Sequence, residues 1–169
     1  SDLIYSTGMT EKGWALTVSG SRRWAEEGYV RGTFYDAWSY FISAEKKFNK
    51  QHSIGLTAYG APNKRGGMGI AVQEANDLVN DNFYNPYWGF QDGEVRNARV
   101  GNYHQPMIML SHYWTVSAKT DVASTVYYNF GRAGTTALNW TETGDPRPDY
   151  YRNLPSYALA GGEIDKYEY

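Results

Sequence analysis

Residues Ser111 to Arg132 read SHYWTVSAKTDVASTVYYNFGR, and the fold turns on how this stretch is read. Two alternating runs flank a polar turn at Lys119-Thr120-Asp121. One face carries Trp114, Val116, Val126, Tyr128 and Phe130. The other carries Ser111, Thr115, Ser117, Thr125 and Asn129, together with Tyr113 and Tyr127. Alternation is the period of a β-strand. A three-residue turn at Lys119 to Asp121 sets Trp114 opposite Val126 and Leu110 opposite Phe130, so that cross-strand neighbours share a face. The second face holds small polar groups and no charge. A solvated sheet face normally carries Lys and Glu, which also discourage edge pairing. Which face is wet therefore becomes the question.

The same alternation recurs in Gly13 to Ser21, Ala37 to Phe48, Ser53 to Ala61, Pro106 to Ala118 and Val122 to Arg132. Leu3 to Thr7 reads as the tail of a sixth strand. Around Asn49 to Gln51, the pattern sets Ala44 opposite Leu56 and Ile42 opposite Ala58. The exceptions are Lys46 near a turn, and Ser124 and His112, the latter placed opposite Tyr128 as a boundary residue. Thr10-Glu11-Lys12, Asn49-Lys50-Gln51 and Lys119-Thr120-Asp121 are short polar turns. Trp24 to Thr33 is a modest loop, and Pro62 to Gln105 is very long for a compact domain. After Arg132 the chain is rich in Gly, Pro and Asp. Short and long connections alternate, which predicts an up-and-down meander with the short turns at one end.

Composition narrows the classes. The chain has 169 residues, with 16 Tyr, 6 Trp and 18 Gly. Such enrichment favours β structure and rings at boundaries. A net charge of −2 carries no nucleic-acid footprint. Cys is absent, which excludes disulfides, thiolate metal sites and a cysteine nucleophile. No apolar run approaches the ~18 residues of a membrane helix. The mean hydropathy of −0.63 leaves room for a membrane barrel, whose strands alternate. His52, His104 and His112 show no metal-ligand spacing, and no G-x-S-x-G, Walker or H-E-x-x-H motif is present. Neither enzyme chemistry nor a cofactor is expected.

A polar face of Ser, Thr, Gly, Asn and Tyr, with charges crowded into turns, is the pattern of a wall with lipid outside and a polar lumen inside. Within lipid only helices and closed barrels pair every backbone group. The expected fold is all-β: an antiparallel up-and-down meander, part of a large transmembrane β-barrel with short periplasmic turns and long extracellular loops. Ile108, Leu110, Trp114, Val116, Val126, Tyr128 and Phe130 would contribute to its lipid band. Trp24, Trp38 and Tyr40 would contribute to an aromatic girdle. Two other readings stay open. A small outer-membrane barrel or adhesin needs at least eight strands. A soluble glycan-binding β-sandwich needs Trp14, Leu16, Ile54, Leu56, Trp114 and Val116 to pack against a second sheet.

Several phrases resemble a known family. GWALTVSGSRRWAEEGYVRGTFYDAWSYF followed by EKKFNKQHSIGLTAYGAPNKRG resembles the barrel of TonB-dependent outer-membrane receptors. So do NDNFYNPYWGFQDGEVRNARVGNYHQP, MIMLSHYWTVSAKT, ASTVYYNFGRAGTTALNW and DPRPDYYRNLPSY. The resemblance covers residues 1 to 157 and rests on the texture of strands and loops; the tail ALAGGEIDKYEY is less characteristic. It implies residues 1–169 as a partial barrel, with extracellular loops at about 62–105 and 133–157. Family members carry a plug, a Ton box and 22 strands. None of these is recognisable in this chain, nor is a signal peptide, so a fragment of a longer polypeptide is expected. The resemblance further implies active import of a scarce nutrient such as a metal chelate, cobalamin or a glycan. Its partners would be outer-membrane lipid, the rest of the barrel and plug, TonB acting through the plug, and a surface lipoprotein.

Candidate binding residues lie in the predicted loops. Gly69 to Asn80 has the spacing of a short helix. Next to it NFYNPYWGF supplies Tyr84, Tyr87, Trp88 and Phe90, which either stack on a ligand or hold the loop together. Arg96, Arg99, His104 and Arg147 are candidates for an anionic ligand. Tyr150 and Tyr151 follow Asp145-Pro146-Arg147-Pro148, a stretch stiffened by its prolines.

Overall fold

A computed structural model describes residues 1–160; the rest of the 1–169 assignment, residues 161–169, lies outside them. The strands are β1 (Asp2–Ser6), β2 (Trp14–Ala25), β3 (Tyr35–Lys47), β4 (His52–Gly60), β5 (Asn63–Gly66), β6 (Trp88–Gln91), β7 (Glu94–Asn97), β8 (Val100–His104), β9 (Met107–Ser117), β10 (Thr120–Asn129) and β11 (Arg132–Thr135). Helix α1 spans Gln73–Val79, and α2 spans Pro155–Leu159 after a 3-10 turn at Tyr151–Asn153. The protein is mostly β, as expected from the alternation.

Nine strands form one antiparallel sheet with meander-like neighbours. β1 pairs β2, and β2 pairs β3. Along its other edge β3 pairs β4 and then β5. β9 follows β4, and β10 follows β9, while β8 and β11 continue outward from β5. Each of three long strands is thus interrupted once, at Ala61-Pro62, Gln105-Pro106 and Phe130-Gly131. Proline cannot donate to a ladder, which explains two of the breaks. The sheet continues across them: Trp38 N–H donates to Pro62 O (2.8 Å), and Phe130 N–H donates to Pro106 O (3.2 Å). At the third break, Gly131 has φ 145°, and a Cβ there would lie 2.1 Å from His104 O. The sheet is not closed into a barrel among the described residues.

The hairpin of β3 and β4 has the expected register, with Ala44 opposite Leu56 and Ile42 opposite Ala58. The hairpin of β9 and β10 does not. Trp114 faces Val122, Leu110 faces Val126, and His112 faces Ser124 rather than Tyr128. The turn is Ala118-Lys119, shorter than expected, and a bulge lies between Thr120 and Asp121. Against the expected register, each pairing slips by an even number of residues. An even slip leaves every side chain on its own face.

The apolar face of this sheet is exposed, and its polar face ranges from half-buried to exposed. Trp14, Leu16, Ile54, Leu56, Trp114 and Val116 are all between 38 and 52 % exposed, with no second sheet over them among the described residues. The opposite face carries cross-strand hydroxyl pairs: Ser6–Thr17 (3.0 Å), Ser21–Ser39 (2.7 Å), Ser43–Thr57 (3.3 Å) and Ser111–Thr125 (2.9 Å).

The chain divides into two compact units. One comprises residues 1–24, 35–65 and 101–134, and holds most of the sheet. The other comprises residues 25–34, 66–100 and, among the described residues, 135–160. The expected helix of Gly69 to Asn80 is present as α1, ended by Asn80 in the left-handed region (φ 53°). Also within the predicted long loop, β6 and β7 form a hairpin around Asp92-Gly93, both with positive φ. Asp-Gly at such a turn matches the twist of the flanking strands.

Candidate functional site

The candidate residues cluster mainly in the second unit, which is organised by two buried amides. Backbone groups outside a ladder must find other partners. Asn85 is fully buried. Its Oδ1 accepts from Gly69 N and Tyr87 N, and its Nδ2 donates to Arg31 O and Gly67 O, all at 3.1 Å. Asn97 is 5 % exposed. Its Nδ2 donates to Gly32 O (2.8 Å) and Gly67 O (2.7 Å), and its Oδ1 accepts from Arg99 N (2.8 Å). Three chain segments are therefore held by two side chains. Gly32 lies flat under Trp88: a Cβ there would approach Trp88 Cβ to 2.1 Å.

This scaffold fixes where the predicted residues point. Trp88 is covered by the guanidinium of Arg31, 4.4 Å from the ring centroid, and meets Phe90 edge-on at 5.6 Å. Tyr87 lies under the guanidinium of Arg99 (5.7 Å). Tyr87, Arg99 and Arg147 line a small cavity of about 120 Å³ with Pro86, Leu138 and Trp140. These three candidates share one cavity. Arg96 bonds to Gln91 across the β6–β7 hairpin. Tyr150 and Tyr151 pack edge-on at 4.8 Å, and Tyr151 also meets Tyr157 (5.4 Å). His104 belongs to the sheet, where its Nε2 lies 3.0 Å from the hydroxyl of Tyr40.

No family model, curated protein or solved structure matches this chain. The chemistry must therefore be read from the residues. Among the described residues no group of three or more His, Asp or Glu is placed to hold a metal ion. The cavity offers guanidinium groups and ring faces, a surface for a small planar or anionic group. Asn85, Asn97, Arg31 and Trp140 were not legible as site residues. Their roles depend on segments distant in the chain.

Arg147 is engaged within its own loop. Its backbone N–H donates to Asp145 Oδ1 (3.1 Å), its Nε reaches both carboxylate oxygens at 2.9 Å, and its Nη2 bonds Asp145 Oδ2. These bonds hold the Asp145 carboxyl below its ordinary range, the guanidinium contributing first and the backbone N–H further. A depressed carboxylate stabilises fully above the unfolded value and loses this as pH falls through the folded one. The unfolded value is about 3.9. The loop around Asp145 should thus hold through mild acid and loosen only below about pH 3.9. Limited proteolysis of residues 145–153 against pH checks this, and cleavage already rising near about pH 6 would contradict it. Burial pushes the Tyr84 hydroxyl up, and the charge of Asp149 adds to the effect.

Proposed function

We propose that this chain supplies wall and external loops to an outer-membrane import receptor of the TonB-dependent kind. One observation carries the reading: the apolar face of the sheet is bare and its opposite face is lined with hydroxyls. A soluble protein rarely leaves so large an apolar patch uncovered. A barrel wall has this inside-out arrangement. The sandwich alternative requires cover over Trp14, Leu16, Ile54, Leu56, Trp114 and Val116, and these are exposed. The Arg- and Tyr-lined loop cavity suits contact with an anionic chelate, and no covalent step is asked of it.

These 169 residues contain no Cys, so a cysteine introduced among them is unique within the segment, and any Cys elsewhere in the full-length protein is first replaced by Ser. In the full-length protein reconstituted in bilayers, a fluorophore at Val126→Cys should be quenched by doxyl-labelled lipid. One at Thr125→Cys should not. Equal quenching of both, or of neither, would refute the wall assignment. The receptor reading further expects a native polypeptide, recovered from detergent-solubilised outer membranes, several times heavier than 19.2 kDa. A native mass near 19.2 kDa would leave a small barrel instead.

A further inference from the structure

A cavity of about 570 Å³ opens beside the upper ends of the apolar rows, lined in part by Asp36, Trp38, Lys64, His104, Phe130 and Arg132. In β3 the row Trp38, Tyr40, Ile42, Ala44 ends at Asp36. Lys64 pairs with Asp36 across the sheet and so shares its face. In β2 the row Trp14, Leu16, Val18, Gly20 ends at Arg22. After Val126, Tyr128 and Phe130 comes Arg132. The β2 and β10 rows thus end in Arg22 and Arg132, and the β3 row ends in Asp36 with Lys64 opposite it.

The groups there are already ordered. Arg22 donates to both oxygens of Asp36 from Nε and Nη2, each at 2.9 Å. Its guanidinium lies 4.8 Å from the ring centroid of Trp38 and 6.0 Å from that of Trp24. Phe130 stacks on Tyr128, with centroids 5.4 Å apart. Arg22, Lys64 and Arg132 bring three positive charges against the single negative charge of Asp36. A net cationic cluster beside an exposed apolar face matches a molecule with a phosphate at one end and a hydrocarbon at the other. Free phosphate would use the charges and leave the rings idle.

We infer that this cavity binds the phosphate-bearing headgroup of an anionic membrane lipid, with Lys64 and Arg132 on the phosphate and Trp38 and Phe130 against the glycerol or sugar. The inference rests on the membrane-wall reading above. Arg22 acts as a positioning residue, held by Asp36 and stacked on Trp38.

The test is native mass spectrometry of the full-length protein in detergent, with dioleoyl phosphatidic acid and dioleoyl phosphatidylcholine at equal concentration. Phosphatidic acid adducts should exceed phosphatidylcholine adducts roughly tenfold. In Lys64→Gln/Arg132→Gln the excess should fall to roughly twofold or less, and in Lys64→Arg/Arg132→Lys it should persist. If the Gln variant does not fold, the wild-type preference at low and high salt decides, since a charge-based preference must shrink as salt rises. A preference unchanged by salt overturns the inference, as does equal adduct formation by the wild type. In both cases a protein that still requires detergent keeps the membrane reading intact. Recovery without detergent in the soluble fraction overturns that reading, and this one with it. Inorganic phosphate that abolishes the preference at millimolar level would mark a free-anion site and overturn the lipid assignment.

Discussion

Lysine at Val126 will sharply lower the yield of correctly inserted protein, whereas lysine at Thr125 will be tolerated. The two positions are adjacent in β10 and face opposite ways. Val126 stands opposite Leu110 on the bare apolar face and is 74 % exposed. Thr125 stands opposite Ser111 and shares a hydrogen bond with it at 2.9 Å. On the lipid side of a barrel, lysine near the midplane costs about 2–4 kcal/mol. On the lumen side it loses one hydroxyl contact, worth about 1 kcal/mol. Were the apolar face in water, the exposed Val126 would accept lysine at nearly no cost, as most surface sites do. Membrane-inserted, heat-modifiable protein on cold SDS gels reads the difference. Equal yields from the two variants would remove the main support for the wall assignment.

The second large effect is expected at Asn85. Leucine is close in shape but offers neither donor nor acceptor. Asn85→Leu strips partners from Gly69 N–H, Tyr87 N–H and Arg31 C=O, while Gly67 C=O keeps Asn97. A buried polar group left unpaired costs about 1–3 kcal/mol, so the loop should lose roughly 4 kcal/mol of local stability. Amide exchange at Gly69 and Tyr87 should accelerate, and proteases should cut within residues 66–100. The β3–β4 and β9–β10 pairings should keep their protection. Exchange at Gly69 as slow as in the parent protein would show that the amide is not what holds the loop.

Strands and faces were legible where local chemistry decides them. The Asn49 turn is one case: its Oδ1 accepts from Gln51 N and His52 N, both at 2.8 Å, and the register follows. The other hairpin misled because its bulge at Thr120 has no compositional mark. β5, β8 and β11 were missed since Pro62, Pro106 and Gly131 look like strand ends. Neighbouring strands carry the sheet across these breaks. The β6–β7 hairpin did have a signal, Asp92-Gly93, but its strands are only 4 residues each and show no clear alternation. Candidate site residues were chosen by type. Trp88 and Tyr151 turn out to pack, while Tyr87, Arg99 and Arg147 share a cavity. Asn85 and Asn97 could not be singled out, because an asparagine in a loop is ordinary until the fold closes around it.

The unequal connections lead us to expect an order of folding. The β3–β4 and β9–β10 hairpins close over short turns and can form on their own in microseconds. The β4–β9 pairing must wait for the segment between β5 and β8 to bring its ends together. A connection roughly ten times longer raises the closure entropy by about 2 kcal/mol. Asn85 and Asn97 tie Gly67 to the start of β8, and a loop closed on them first would shorten that effective distance. On this expectation the amide-bonded loop acts as a clasp between the two hairpins during assembly. Weakening it should slow assembly of the sheet more than it destabilises the sheet once formed.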